Sequence, residues 1–218
     1  MNNNAQASIG LFDSGIGGLT VASAILEQLP NESLVYFGDT AHLPYGDKSA
    51  DTIRYFAKTI SAFLLSKECK IIVIACNTAS SVAFDLLEKM AGDKAYVFNV
   101  IDAVVEEIIQ KKYKKVGIIG TLGTINSNAY KTKILQKDSH VIVHQLATPL
   151  LAPMIESGFV EGQISNLVVE EYLNSPELQD IETLVLACTH YPLIKKEIEA
   201  FYQSNNRKVD VLATNEIV

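Results

Sequence analysis

Residues 71–78 (Ile-Ile-Val-Ile-Ala-Cys-Asn-Thr) and 183–190 (Thr-Leu-Val-Leu-Ala-Cys-Thr-His) each carry an apolar β segment straight into Ala-Cys and then into small polar residues. The two cysteines, Cys76 and Cys188, stand 188 − 76 = 112 positions apart. A second pair precedes them. Residues 9–15 (Ile-Gly-Leu-Phe-Asp-Ser-Gly) and 116–122 (Val-Gly-Ile-Ile-Gly-Thr-Leu) are again strands entering a Gly/Ser/Thr turn, offset by 121 − 14 = 107 when Ser14 is laid on Thr121. A chain written this way folds as two similar halves, each delivering one thiol from a strand end. Two thiols across one ligand suit chemistry that needs a proton acceptor on one side of a carbon and a donor on the other.

Between these motifs, short Val/Ile/Leu runs alternate with helical patterns. Strands are expected over 8–12, 33–37, 71–75, 96–100, 115–119, 140–146, 183–187 and 209–213. Helices are expected over 18–29, 50–65, 80–90, 103–111, 126–135, 150–157, 161–173 and 193–201. The β-α order and near-continuous apolar strands predict an α/β fold of two pseudo-symmetric, doubly wound domains with mainly parallel sheets. The ligand crevice of such sheets lies beyond the carboxyl ends of the strands. Asp13-Ser14, Cys76-Asn77-Thr78, Gly120-Thr121 and Cys188-Thr189-His190 all fall at that edge, which places the site at the domain interface. No linker composition separates the halves, so the repeat sets the boundary: residues 1–98 plus 208–218 form a discontinuous first domain and 99–207 the second. The strand 209–213 is expected to return to the first sheet.

A net charge of −7 without a basic stripe disfavours nucleic acid as the main ligand, and the cluster at Lys111–Lys115 reads as a solvated helix end. The opening Met1-Asn-Asn-Asn-Ala-Gln-Ala has no signal-peptide pattern, and the apolar runs are strand-sized. Three cysteines without paired spacing read as reduced thiols of a cytoplasmic protein.

Cys76 and Cys188 are the candidate bases. A lone cysteine is usually a small buried hydrophobe, but matching places in two repeated halves reverse that reading. A thiol near its ordinary pKa is a usable base, and a strand end opening a helix is expected to favour the thiolate. Cys69 has no counterpart and is expected to be structural. A cysteine hydrolase needs no second thiol, a phosphatase of the Cys-x5-Arg type lacks its arginine, and no zinc-ligand spacing surrounds Cys188 and His190. The turn Asp13-Ser-Gly-Ile-Gly-Gly18 departs from a dinucleotide fingerprint, yet its glycines admit a carboxylate or phosphate at a helix start. Asp13 there is either a plain N-cap or a site residue, and the shared sheet edge favours the site. The loop Gly38–Asp47 offers Tyr45 and Gly46 to a ligand, while His42 is expected to serve the loop. His190, two residues from Cys188, is expected to handle its proton. Nothing local separates Glu156 from a surface glutamate, and His140 and His144 receive no role.

Together, residues 9–18, 37–46 (Phe-Gly-Asp-Thr-Ala-His-Leu-Pro-Tyr-Gly), 75–79 (Ala-Cys-Asn-Thr-Ala) and 186–192 (Leu-Ala-Cys-Thr-His-Tyr-Pro) resemble the cofactor-independent aspartate/glutamate racemase family. The Asp-Ser-Gly and Pro-Tyr-Gly segments look most like its glutamate racemase members. The resemblance spans essentially the whole chain, with weaker support from 149–158. It implies two α/β domains with the site between them, no cofactor and no metal. It implies glutamate as substrate, held by Asp13, Ser14, Tyr45, Gly46, Cys76, Asn77, Thr78, Thr121, Cys188, Thr189 and His190. By the same resemblance Cys76 takes the α-proton of D-glutamate with help from Asp13, and Cys188 that of L-glutamate with help from His190 and Glu156. The D-glutamate would feed peptidoglycan synthesis. The resemblance also implies a homodimer, and some family members inhibit DNA gyrase; neither property is legible in these residues. The chain departs from the family pattern at Ala213-Thr-Asn, where relatives carry Asp-Ser, at Thr148, where a cysteine is frequent, and at Val218, where relatives continue through another helix. Part of the first sheet is therefore expected to be uncovered.

Overall fold

The computed structural model describes residues 6–217; the expectations that fall on the first five residues and on Val218 lie outside them. Eight strands form two separate four-stranded sheets. The first holds β1 (Ile9–Asp13), β2 (Leu34–Gly38), β3 (Ile71–Ile74) and β4 (Tyr96–Asn99) in the order β2-β1-β3-β4. The second holds β5 (Lys115–Gly120), β6 (Ile142–Ala147), β7 (Thr183–Ala187) and β8 (Asp210–Ala213) in the order β6-β5-β7-β8. All neighbours run parallel.

Strand register carries the internal repeat. Ile9 lies opposite Ile71, and Val116 opposite Thr183. The offsets are 116 − 9 = 107 and 183 − 71 = 112, the same two numbers that separate the sequence motifs. The duplication is therefore one of three-dimensional placement.

The strand at 209–213 does not return to the first sheet. β8 pairs in parallel with β7, Thr183 facing Asp210 and Leu186 facing Ala213. Its place is the counterpart of β4 beside β3, and its buried Val211, Leu212 and Ala213 complete the second core. What crosses between halves is the helix that follows. After β4, α4 (Val100–Gln110) buries Val104, Val105 and Ile108 against Val116, Ile118 and Val185 of the second sheet. After β8, the short α10 (Thr214–Ile217) packs against α1 (Leu19–Gln28) and α4.

Helices cover both faces of each sheet because their apolar residues recur every three or four positions. In α2 (Ala50–Ser66) these are Ile53, Ala57, Ile60 and Leu64, and Ser49 caps the start by accepting from Thr52 N. With α3 (Asn77–Ala91) they enclose Phe12, Ile72 and Ile74. Helices α7 (Leu151–Glu156), α8 (Gln163–Leu173) and α9 (Lys195–Ser204) cover Ile119, Leu184 and Leu186. The expected helix 126–135 is two helices, α5 (Leu122–Asn126) and α6 (Ala129–Lys137), broken at Asn128 with φ 55°. On the α1 side of the first sheet, Tyr96 and Phe98 of β4 remain 60% and 55% exposed, as expected for an uncovered portion. No helix among the described residues is long and apolar enough to cross a membrane.

Candidate active site

Three expected helix starts move toward the strand ends, and the most consequential is at Cys76. Helix α3 begins at Asn77, leaving Cys76 as its N-cap, with Sγ accepting from Ala79 N at 3.4 Å. The counterpart α5 begins after Thr121, whose hydroxyl accepts from Thr124 N at 3.2 Å. Both caps consume orphan amides of a first helical turn. In the second half the chain leaves β7 through Cys188, Thr189 and His190 into a 3-10 turn, Tyr191–Ile194.

A cavity of about 220 Å³ opens where the carboxyl ends of the two sheets meet. From the first half Ser14, Tyr45, Gly46, Cys76, Asn77 and Thr78 line it; from the second, Thr121, Glu156, Cys188, Thr189 and His190. It is smaller than the roughly 300–1,000 Å³ of drug-sized ligand pockets, a size suited to a small metabolite. Every residue singled out from sequence is on its wall except Asp13, which stands behind it. Asp13 is fully buried, and its carboxylate accepts from Gly15 N at 3.0 Å, Gly18 N at 3.1 Å and Thr189 Oγ1 at 3.2 Å. The first two bonds fix the turn after β1, and the third reaches across the halves. Asp13 is thus both an anchor of its own turn and a site residue.

The halves touch closely here, and two glycines permit it. A Cβ at Gly46 would lie 2.6 Å from Thr121 Cβ, and one at Gly17 would lie 2.7 Å from Thr189 Oγ1. The hydroxyls of Thr78, Thr121 and Thr124 bond one another at 2.9–3.2 Å, another junction between halves.

The thiol environments correct one expectation. Burial pushes Cys76 up to about 11 from an ordinary 9.0, aided by the nearby Asp13 charge and only partly offset by Ala79 N–H and Ser14. Cys188 is raised further, by burial above all, against the backbone at His190 and with contributions from Cys76, Asp13 and Glu156. The helix-start field that favours a thiolate is present, but desolvation outweighs it. The Cys76 thiol donates to Ser14 Oγ at 3.7 Å, and Cys188 Sγ lies 3.7 Å from His190 Nδ1. Asp13 is likewise raised, by burial first, with its two amides and His190 pulling it back.

Glu156 is not a mere surface glutamate. Its Oε1 lies 2.9 Å from His190 Nε2, a charge contact whose alignment falls short of a hydrogen bond. Sequence gave no hint of this, because α7 brings residue 156 to the imidazole only after the second half has folded. His42 serves its loop as expected, bonding Asp39 at 2.8 Å and stacking on Phe56. Cys69 is buried in the first core beneath Gly10.

Four contributors were missed. Asp39 accepts from Tyr45 Oη at 2.6 Å and so holds that phenol; it lies in the turn-rich loop 38–47, where it went unweighed. Tyr36 Oη donates to Gly15 O at 2.6 Å, Thr124 joins the hydroxyl junction, and Tyr130 Oη donates to Asn77 Oδ1 at 2.6 Å. The last three carry no local signal, since each acts through a contact far off in sequence. Among the described residues, no group of three or more His, Cys, Asp or Glu side chains is placed to hold a metal ion.

Residues 9–218 match the profile of the Asp/Glu/Hydantoin racemase family. The glutamate racemase of Chlorobaculum tepidum is 45% identical over 198 residues, covering 90% of this chain and 72% of that protein. The crystal structure of glutamate racemase from Francisella tularensis in complex with D-glutamate superposes with a TM-score of 0.86 at 43% identity, covering 94% of this chain and 76% of the other. The glutamate racemase isoform RacE1 of Bacillus anthracis gives a TM-score of 0.90 at 36% identity, covering 97% and 78%.

Proposed function

This chain belongs to the Asp/Glu/Hydantoin racemase family and is an amino-acid racemase, an isomerase, and we propose that it interconverts L- and D-glutamate with Cys76 and Cys188 as opposed bases. The observation that carries this reading is that the two thiols, one from each half, line a single small cavity. The glutamate racemases among its relatives, one solved with D-glutamate, support the choice of substrate.

Starting from L-glutamate, the Cys188 thiolate takes the α-proton: an S–H bond forms, the Cα–H bond breaks, and its electron pair moves into the carboxylate as an ene-diolate. The Cys76 thiol gives its proton to the opposite face of Cα. The product is D-glutamate, leaving Cys188 a thiol and Cys76 a thiolate. The reverse reaction runs the same steps from Cys76. An α-proton beside a carboxylate is a weak acid, so thiols raised by burial have a use. The thiolate forms less readily, but once formed it is a stronger base. Charge on one thiol also disfavours charge on the other, which favours the thiol/thiolate pair that the reaction needs.

Asp13 behind Cys76, and His190 with Glu156 beside Cys188, are placed to accept and return the protons that reset this pair. Amide and hydroxyl donors around the cavity oppose the charge building on the carboxylate. By the family resemblance the D-glutamate serves peptidoglycan synthesis in the cytoplasm.

Polarimetric rates on L-glutamate and L-aspartate, measured side by side, test the assignment. Turnover of glutamate well above aspartate, abolished by Cys76→Ala and by Cys188→Ala, is expected. Preference for aspartate, or turnover retained in both variants, overturns it.

A further inference from the structure

Asn77 opens α3 beside Cys76 and is buried, yet only half of its carboxamide is engaged. Oδ1 accepts from Tyr130 Oη at 2.6 Å, while Nδ2 has no protein partner although the residue lines the cavity. A buried amide N–H without a partner costs about 1–3 kcal/mol, so an acceptor is wanted at that point. Tyr130 comes from α6 of the opposite half and is itself buried.

We propose that Tyr130 is a positioning residue: by donating to Asn77 Oδ1 it locks the carboxamide with its N–H groups turned into the cavity, ready for a substrate carboxylate. An amide can rotate by half a turn at little steric cost, because its two ends are nearly the same size. Rotated, Asn77 would present a carbonyl oxygen to the anionic ligand and repel it. The phenol opposes that rotation by occupying the acceptor end. It stays a donor at every physiological pH, because burial raises it far above the ordinary tyrosine value. The bond also crosses between halves, so correct orientation of the amide depends on both halves being assembled.

The inference rests on the cavity being a glutamate site, and the test separates the two. D-glutamate binding is measured by calorimetry, with KM and kcat, for the wild-type chain, Tyr130→Phe, Asn77→Ala and the double variant. If the wild-type chain neither binds nor turns over glutamate, the functional reading fails first. Given wild-type binding, Tyr130→Phe is expected to raise Kd and KM roughly tenfold while kcat changes less than about threefold. In the Asn77→Ala background the same substitution is expected to add almost nothing, because no amide remains to orient. An equal tenfold loss in that background would mean that Tyr130 merely braces the halves, and overturns the proposal. An unchanged Kd in Tyr130→Phe also overturns it. Should the phenylalanine variant fail to fold, the wild-type protein still decides. The Asn77 side-chain amide resonances must shift when D-glutamate is added, and a shift confined to other residues contradicts the assignment.

Discussion

Around Cys76 the first half sets a fully buried carboxylate, Asp13, held by two backbone amides and by Thr189 of the other half. Around Cys188 the second half sets an imidazole, His190, backed by the partly exposed Glu156. The backbone repeat is faithful down to strand register, so the difference lies in side chains alone. It teaches that two like thiols on a common scaffold are given unlike proton partners: an acid locked in place on one side, and an ion pair open to water on the other. A substrate whose two enantiomers are approached from opposite faces would meet two different proton relays.

The largest expected effect removes one member of the comparison. Cys76→Ala or Cys188→Ala should each lower racemisation by at least about 10²–10⁴-fold, the usual contribution of a positioned acid or base. Steady-state assays in both directions check this. Loss in only one variant would leave a single base and break the symmetry on which the comparison rests.

Next come the partners. Asp13→Asn and His190→Asn should each cost about 10²-fold. Because enantiomers are equal in energy in water, kcat/KM must fall equally in both directions for either variant. The asymmetry instead appears in primary isotope effects with α-deuterated substrate. Asp13→Asn should raise the effect from D-glutamate, where Cys76 breaks the bond, and His190→Asn should raise it from L-glutamate. Matching changes in both variants would mean that the partners are not divided between the thiols.

A smaller effect is expected at Asp39. With Asp39→Asn the Tyr45 phenol loses its charged partner, and KM should rise about fivefold with kcat nearly kept. A fall in kcat with KM unchanged would move Tyr45 from binding into the chemical step.

Stability offers a further comparison. The folded Cys76 binds its proton more tightly than the unfolded chain does, about 11 against 9.0. Its stabilising contribution is complete below about pH 9 and is lost as pH rises toward 11, with a slope of at most about 1.4 kcal/mol per pH unit. The Tm of the wild-type chain should therefore fall more steeply between pH 9 and 11 than that of Cys76→Ala. The mildest change in activity belongs to the third cysteine. Cys69→Ala should cost about 1–2 kcal/mol in denaturant unfolding from lost core packing, with racemisation within about twofold of wild type.

Much of this was legible in the sequence, for a physical reason. A parallel sheet exposes its chemistry at the carboxyl ends of strands, so residues such as Ser14, Cys76, Thr121 and Cys188 betray themselves by following apolar runs. The two offsets then told which strand ends face one another. Contacts made only in the folded state stayed hidden: Glu156 at His190, Tyr130 at Asn77, Tyr36 at Gly15. The misplaced β8 shows the same limit, because an apolar strand does not say which of two equivalent edges it joins. Burial of the thiols could not be priced from neighbours in sequence either, and it reversed the expected direction of their pKa shift.

The most direct test follows deuterium from solvent into glutamate. In D₂O, starting from protiated L-glutamate and stopped at low conversion, NMR should find deuterium at Cα of the D-glutamate formed while the remaining L-glutamate keeps its proton, since each thiol returns only what it took. Starting from D-glutamate, the pattern should invert. Deuterium entering the unconverted enantiomer as fast as the product, from either side, would mean that one group serves both faces, and would contradict a pair of opposed thiols.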